Sequence, residues 1–197
     1  RSARFTHSYV PSSLCSPSLA VMLTGLYPHQ SGLHYNHPPP GNSAFNRMNT
    51  PEEYEAARSP AFEIIRKLPT LPRVLGERGY LSFQTGKFWE GHFSNAGFSD
   101  GMTIFKPRPG QDFGGNRTLK SGVLAAHGNG DHGLQIGRET MQPIADFMDR
   151  ALAAKKPFFI WYAPYLPHLP HDSPQRYHDL HRQRGAAAHR IPYLAAI

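Results

Sequence analysis

Two stretches of the chain repeat one order, a helix-forming segment followed at once by a short apolar run. Thr70 to Arg78 (TLPRVLGER) predicts a helix, Gly79 its stop, and Tyr80–Thr85 a buried strand that rises to Gly86-Lys87. Arg138 to Ala154 predicts an amphipathic helix with Ile144, Phe147, Met148 and Leu152 on its inner face. It leads into Pro157–Ala163 (PFFIWYA), whose unbroken apolar character predicts a strand inside a sheet covered on both faces. Repeated helix–strand order of this kind dictates an α/β architecture, a central and mostly parallel sheet flanked by helices. Loops at the strand ends are then the natural place for ligands.

The 197 residues are enough for one domain with a hydrophobic core, and 39% hydrophobic against 18% charged residues fits a globular domain. The chain starts Arg-Ser-Ala-Arg without an initiator Met and stops where Ile191–Ile197 begins a helix. Residues 1–197 therefore read as a single incomplete domain. No run approaches the roughly 18 apolar residues that a membrane helix requires. The net charge of +7 comes from Lys and Arg scattered along the chain rather than massed in one stretch. Such a field suits an enzyme acting on a polyanion better than a nucleic-acid binder. The single Cys rules out an internal disulfide and leaves one thiol to account for.

Elsewhere, residues 4–10 look extended, with Phe5, His7 and Tyr9 on one face. Ser16 as a capping hydroxyl and Pro17 at the first helical position start a helix that Gly25 ends. Two short helices are expected at 51–58 and 61–67, separated by Pro60, and residues 88–137 are Gly-rich and mostly loop.

Three positions stand out chemically. Cys15 lies at a helix N-terminus, where amides and the helix dipole favour a nucleophile and the oxyanion it attacks. Lys87 closes a buried strand, where its charge needs an anion or a carboxylate. His168 sits in Leu-Pro-His-Leu-Pro at another strand end, pinned between prolines and able to donate a proton to a leaving oxygen. Glu90 reads as a structural partner, His171 as an outer residue and Asp131 as a turn residue. The pairs His168/His171 and His178/His181, with His127 and His132 about a Gly-rich loop, fall short of a zinc set and read as solvated loop histidines.

The string Cys15-Ser-Pro-Ser-Leu-Ala20 followed by Leu23-Thr-Gly-Leu-Tyr-Pro-His29 closely resembles the sulfatase signature. Thr70–Tyr80 with Gln84-Thr-Gly-Lys87-Phe-Trp-Glu-Gly-His92 resembles the family's second signature, and Pro157–His171 its later strand and Pro-His-x-Pro turn. The resemblance implies an alkaline-phosphatase-like sandwich that hydrolyses sulfate esters with a formylglycine made from Cys15. It implies that Lys87 contacts a sulfate oxygen and the nucleophile, and that His168 meets the substrate and protonates the departing alcohol. His92 is the candidate to replace the family's His, whose place is taken by Trp89. Calcium is the implied metal, with modified Cys15 as one ligand and the others in paired-Asp and Asp-Asn-Gly segments that this sequence lacks. Leu19 occupies the place of the motif's Arg and reads as a subfamily trait. The implied partners are a sulfated small molecule or glycan and a formylglycine-generating enzyme, in a periplasmic or secreted protein. Phosphonate monoester or phosphodiester hydrolysis, or glycan binding without catalysis, are the alternatives.

Overall fold

The computed structural model describes residues 3–37, 47–105, 116–126 and 130–197. A three-stranded parallel sheet organises the chain, in the order β2 (Asp100–Gly101), β1 (Leu81–Gly86) and β5 (Phe158–Ala163). β1 and β5 run in register from Leu81 opposite Phe158 to Gly86 opposite Ala163. Helices cover both faces. On one side, α1 (Cys15–Thr24) and α3 (Pro51–Lys67) pack Leu23 and Ile65 into a core with Phe88, Phe98 and Trp161. On the other, α5 (Gln142–Ala153) stacks Phe147 on Phe83 at 4.9 Å and sets it edge-on to Phe158 at 6.2 Å. Phe158 and Phe159 thus serve opposite faces, as the two-residue period of a strand requires.

β5 differs from its expected burial. The central strand is β1, buried from Ser82 to Gly86, whereas β5 is the edge of the described sheet and leaves Tyr162 49% exposed. An apolar run shows that a strand has apolar neighbours and cannot say on which side they lie.

The expected break at Pro60 does not occur; α3 is one helix. Thr50 accepts from the Glu53 amide at 3.2 Å, Glu52 and Glu53 lie in the first turn, and Arg66 and Lys67 in the last, all favourable to the dipole. Its buried stripe, Tyr54, Arg58, Phe62 and Ile65, spans Pro60 and anchors both halves. Pro60 itself faces solvent, so the lost backbone bond is the main cost. α4 (Leu71–Gly76) follows closely, and the Arg73 guanidinium donates back to the carbonyls of Ile65 at 2.9 Å and Leu68 at 2.7 Å. Arg73 thereby caps the end of α3, and burial lowers its pKa.

Residues 4–10 form no ladder, and Phe5 and Tyr9 are more than four-fifths exposed. The Gly-rich region holds a 3-10 turn at Phe93–Ala96, β2, a hairpin of β3 (Asn116–Thr118) and β4 (Leu124–Ala126), and a second 3-10 turn at Asp131–Gln135. His127 and the prolines after His37 lie outside the described residues. After β5 come α6 (Gln175–Gln183) and α7 (Ile191–Ala195), the latter where a helix is expected to begin. His178 and His181 both lie on α6. Among the described residues, no helix is long and apolar enough to cross a membrane.

Gly86 joins sheet and site. Its φ of 70° favours glycine, and a Cβ built there would lie 1.9 Å from the Ala163 carbonyl oxygen. Gly86→Ala is expected to cost at least about 4 kcal/mol in denaturant titration, because both strain and a backbone clash oppose it. Gly25, at φ 73° with nothing within 4 Å of a built Cβ, is the control, and its change to Ala should cost only about 1–2 kcal/mol.

Candidate active site

The start of α1 places Cys15, but not by the expected local cap. The helix begins at Cys15 itself, and the residue before it, Leu14, supplies no side-chain cap. The Ser16 amide instead donates to Asn36 Oδ1 at 2.7 Å, a tertiary cap from twenty residues away. Ser16 and Pro17 are buried while Cys15 is half-buried, so the thiol is partly accessible at the start of the helix.

β1 delivers Lys87 to the same place. The Lys87 amide donates to the Ala163 carbonyl at 2.6 Å, and the Trp161 indole donates to the Lys87 carbonyl at 3.1 Å. The backbone of Lys87 is therefore fixed to β5 from both sides of its Cα. Burial lowers the pKa of its ammonium, and the nearby Cys15 raises it in opposition. Cys15 and Lys87, seventy-two positions apart, are electrostatic neighbours.

The turn after β5 brings His168 alongside. His168 Nδ1 lies 2.7 Å from the Leu169 carbonyl. A carbonyl only accepts, so Nδ1 carries the proton and Nε2 is left to take up or release one. The Tyr165 ring links the two motifs, with its centroid 5.3 Å from Lys87 Nζ and 4.9 Å from the His168 ring. Arg138, ion-paired with Asp172, lies 5.4 Å from the same ring. His171 Nε2 donates to the Pro167 carbonyl at 3.0 Å, which stiffens the turn from within.

His92 has a different setting. Its Nδ1 accepts from the Ser94 amide at 3.2 Å and lies 2.8 Å from Ser94 Oγ, so the ring caps the turn Phe93–Ala96 and rests 4.3 Å from Phe93. Among the described residues, no hydrogen bond or ring contact joins it to Lys87. Leu19, in the place of the motif's Arg, packs against the apolar core.

Behind the site, Glu90 is buried, and burial pushes its carboxyl up to about 7 against a smaller pull from the Arg58 guanidinium. Arg58 is buried too, donates to the Trp89 carbonyl at 2.9 Å and lies within 6.0 Å of the Tyr54, Phe62 and Trp89 rings. A cavity of about 140 Å³ lies between these residues and Ser16. Sequence reasoning passed over Tyr165, Arg138, Arg58 and Asn36. Tyr165 alone had a local signal, three positions before His168.

Among the described residues, no group of three or more His, Cys, Asp or Glu side chains is placed to hold a metal ion. A hard cation takes about six to eight oxygen ligands, so these residues do not make a calcium site by themselves.

Comparison with known proteins decides the family. Residues 1–194 match the Sulfatase family. The chain belongs to the sulfatases. It is 28% identical over 189 residues to a sulfatase of Formosa agariphila, covering 90% of this chain and 34% of that protein. It is 29% identical to human arylsulfatase A, covering 88% and 36%. It is 26% identical to N-acetylgalactosamine-6-sulfatase of Canis lupus familiaris, covering 84% and 33%. The chain thus spans about a third of the length of these sulfatases. Among solved structures it is similar to Ps i-CgsB, also solved in complex with k-i-k-neocarrahexaose, with a TM-score of 0.58, 20% identity, and coverage of 95% of this chain and 42% of that one. The parallel sheet flanked by helices is that of the alkaline-phosphatase-like fold.

Glu90 yields a pH test. A carboxyl raised from 4.5 to about 7 takes up a proton on folding, so its stabilising contribution is full below 4.5 and lost as pH rises through about 7. Glu90→Gln keeps the shape of the protonated acid. It should match the wild type near pH 4 and exceed it at pH 8 by on the order of 3 kcal/mol in urea titrations at the two pH values. A second expectation is that this chain alone shows no micromolar calcium binding by isothermal titration.

Proposed function

We propose that this chain is the Cys15-bearing part of a sulfuric ester hydrolase, residues 1–197 of an incomplete catalytic domain, and that Cys15 becomes formylglycine. The observation that carries the reading is Cys15 at the start of α1 within the field of Lys87. The position of β5 at the edge of the described sheet and its half-covered face support the reading that the domain is incomplete. The chemistry supplied at residue 15 after modification is that of an aldehyde hydrate, a nucleophile for sulfur.

Lys87 holds the anionic sulfate oxygens. Its ammonium is desolvated and its backbone pinned, so it is already in place when negative charge develops on them. His168 moves a proton at Nε2, its ring held by the Nδ1–H bond to Leu169, and gives that proton to the departing alkoxide. His92 supports the loop after Lys87 rather than the reacting atoms. Residue 15 is the chain's contribution to a calcium site whose other ligands lie elsewhere. A sulfated small molecule or glycan is the substrate class, which the net charge of +7 favours by steering polyanions. Such a substrate is met outside the cytoplasm, in keeping with a periplasmic or secreted protein modified by a formylglycine-generating enzyme.

The test uses the intact protein, made with and without the modifying enzyme. Mass analysis of the peptide around residue 15 should show formylglycine only with it, and aryl sulfate turnover should follow that content. Unmodified Cys15 in an active preparation would sink the reading. Lys87→Met should lower turnover roughly 100- to 1,000-fold. It should leave the melting temperature equal or higher, because desolvation of the ammonium opposes folding. His92→Ala should lose about 1 kcal/mol of stability as a broken cap and much less turnover than Lys87→Met. The reverse order of damage would make His92 a direct catalytic group.

A further inference from the structure

Lys87 and His168 come from different motifs, yet one side chain touches both. Tyr165 is buried at 3% exposure, two residues past β5, and its ring centroid is 5.3 Å from Lys87 Nζ and 4.9 Å from the His168 ring. Its hydroxyl donates to the Leu169 carbonyl at 2.6 Å, the same oxygen that His168 Nδ1 meets at 2.7 Å. A carbonyl has two lone pairs, and here each takes one donor. The Tyr165 carbonyl in turn accepts from the His168 amide at 3.0 Å, closing the turn.

We propose that Tyr165 is the positioning residue of this site, a π platform that holds the Lys87 ammonium in place and fixes the tautomer and orientation of His168. The proposal rests on the sulfatase reading only for its kinetic arm.

The physical case has two parts. Lys87 is partly desolvated, and water is the partner it has lost; the face of a phenol ring offers a partial replacement for a cation without lending it a proton acceptor. A carboxylate in that place would compete for the sulfate-binding charge, whereas the ring leaves that charge available. For His168, the ring contact sets the plane of the imidazole, and the shared Leu169 carbonyl sets which nitrogen is protonated. Arg138 completes the arrangement at 5.4 Å from the same ring, and Asp172 offsets this second positive charge at a distance from Lys87.

The variants Tyr165→Phe and Tyr165→Leu separate the ring from the hydroxyl. Phe keeps the platform and should retain turnover within about five-fold; Leu removes it and should lose roughly ten- to thirty-fold in kcat, with little change in KM. The second arm needs no substrate. NMR relaxation of the Lys87 ε-methylene in the intact protein should show a more mobile side chain in Leu than in the wild type or Phe. The nitrogen shifts of the His168 ring should keep the Nδ1–H tautomer in Phe and lose it in Leu.

If the protein turns over no sulfate ester, the NMR arm still decides the matter. Unchanged Lys87 and His168 signals in a folded Leu variant overturn the proposal. If Leu does not fold, a Phe variant as impaired as His168→Ala, or with a Lys87 side chain freed to move, overturns it as well, since the ring would then be irrelevant.

Discussion

The end of β1 approaches the end of β5 so closely that only a hydrogen fits on residue 86, and the site is built outward from that contact. The Gly86 backbone lies against the Ala163 carbonyl, which accepts from the Lys87 amide at 2.6 Å. Because the strands are parallel and in register, the residues following Gly86 and Ala163 emerge on the same side of the sheet. Lys87 and the Tyr165–His168 turn become neighbours through backbone geometry, before any side chain is considered. Gly130 and Gly133 pack against Gly86 too, with built Cβ atoms 2.5 Å and 3.0 Å from its carbonyl oxygen. Three glycines meeting at one peptide leave no room for repacking, so the junction resists displacement of the groups it carries.

Rigidity there is set against an electrostatic cost. Burial works against the Lys87 charge, and the groups around it, the Tyr165 ring and the field of Cys15, recover part of what water would supply. A second desolvated charge stands behind Cys15. Arg58 lies among aromatic rings and beside Glu90, whose own raised pKa shows that the pair does not fully compensate burial of the carboxylate. Charges kept where folding disfavours them are the pattern expected of a functional site, with stability drawn from the cores on either face of the sheet.

The parts legible in the sequence were those with a strong local period. β1, β5 and α5 follow from apolar runs and a helical stripe, and the parallel sheet follows from their order. The misread elements turn on contacts between distant residues. Pro60 does not divide α3, because Phe62 and Ile65 bury the segment beyond it. Ser16 does not cap α1, because the helix already begins at Cys15, and Asn36 meets the free Ser16 amide instead. β5 lies at the edge of the described sheet, since a strand's neighbours are a property of topology rather than of its own residues. In the site, Cys15, Lys87 and His168 could be chosen from motif and strand-end position. The ring that joins the last two is marked only by its place three residues before His168, since a tyrosine in an apolar segment gives no sign of which cations will reach its face.

The same reasoning explains why the two histidines nearest the motifs occupy such different environments. His168 presents only Nδ1 to a carbonyl, which leaves Nε2 chemically available at an exposed position. His92 presents Nδ1 to an amide donor, so its lone pair there is consumed and its proton resides on Nε2. An imidazole whose basic nitrogen is engaged by a backbone N–H can take up a proton only by giving up that bond, and with it the cap of the turn at Phe93–Ala96. Proton transfer at His92 would therefore disturb the loop that follows Lys87, whereas proton transfer at His168 Nε2 disturbs nothing that holds the ring. The tautomer each local backbone imposes leaves Nε2 of His168 open and ties Nδ1 of His92 into the cap of its turn.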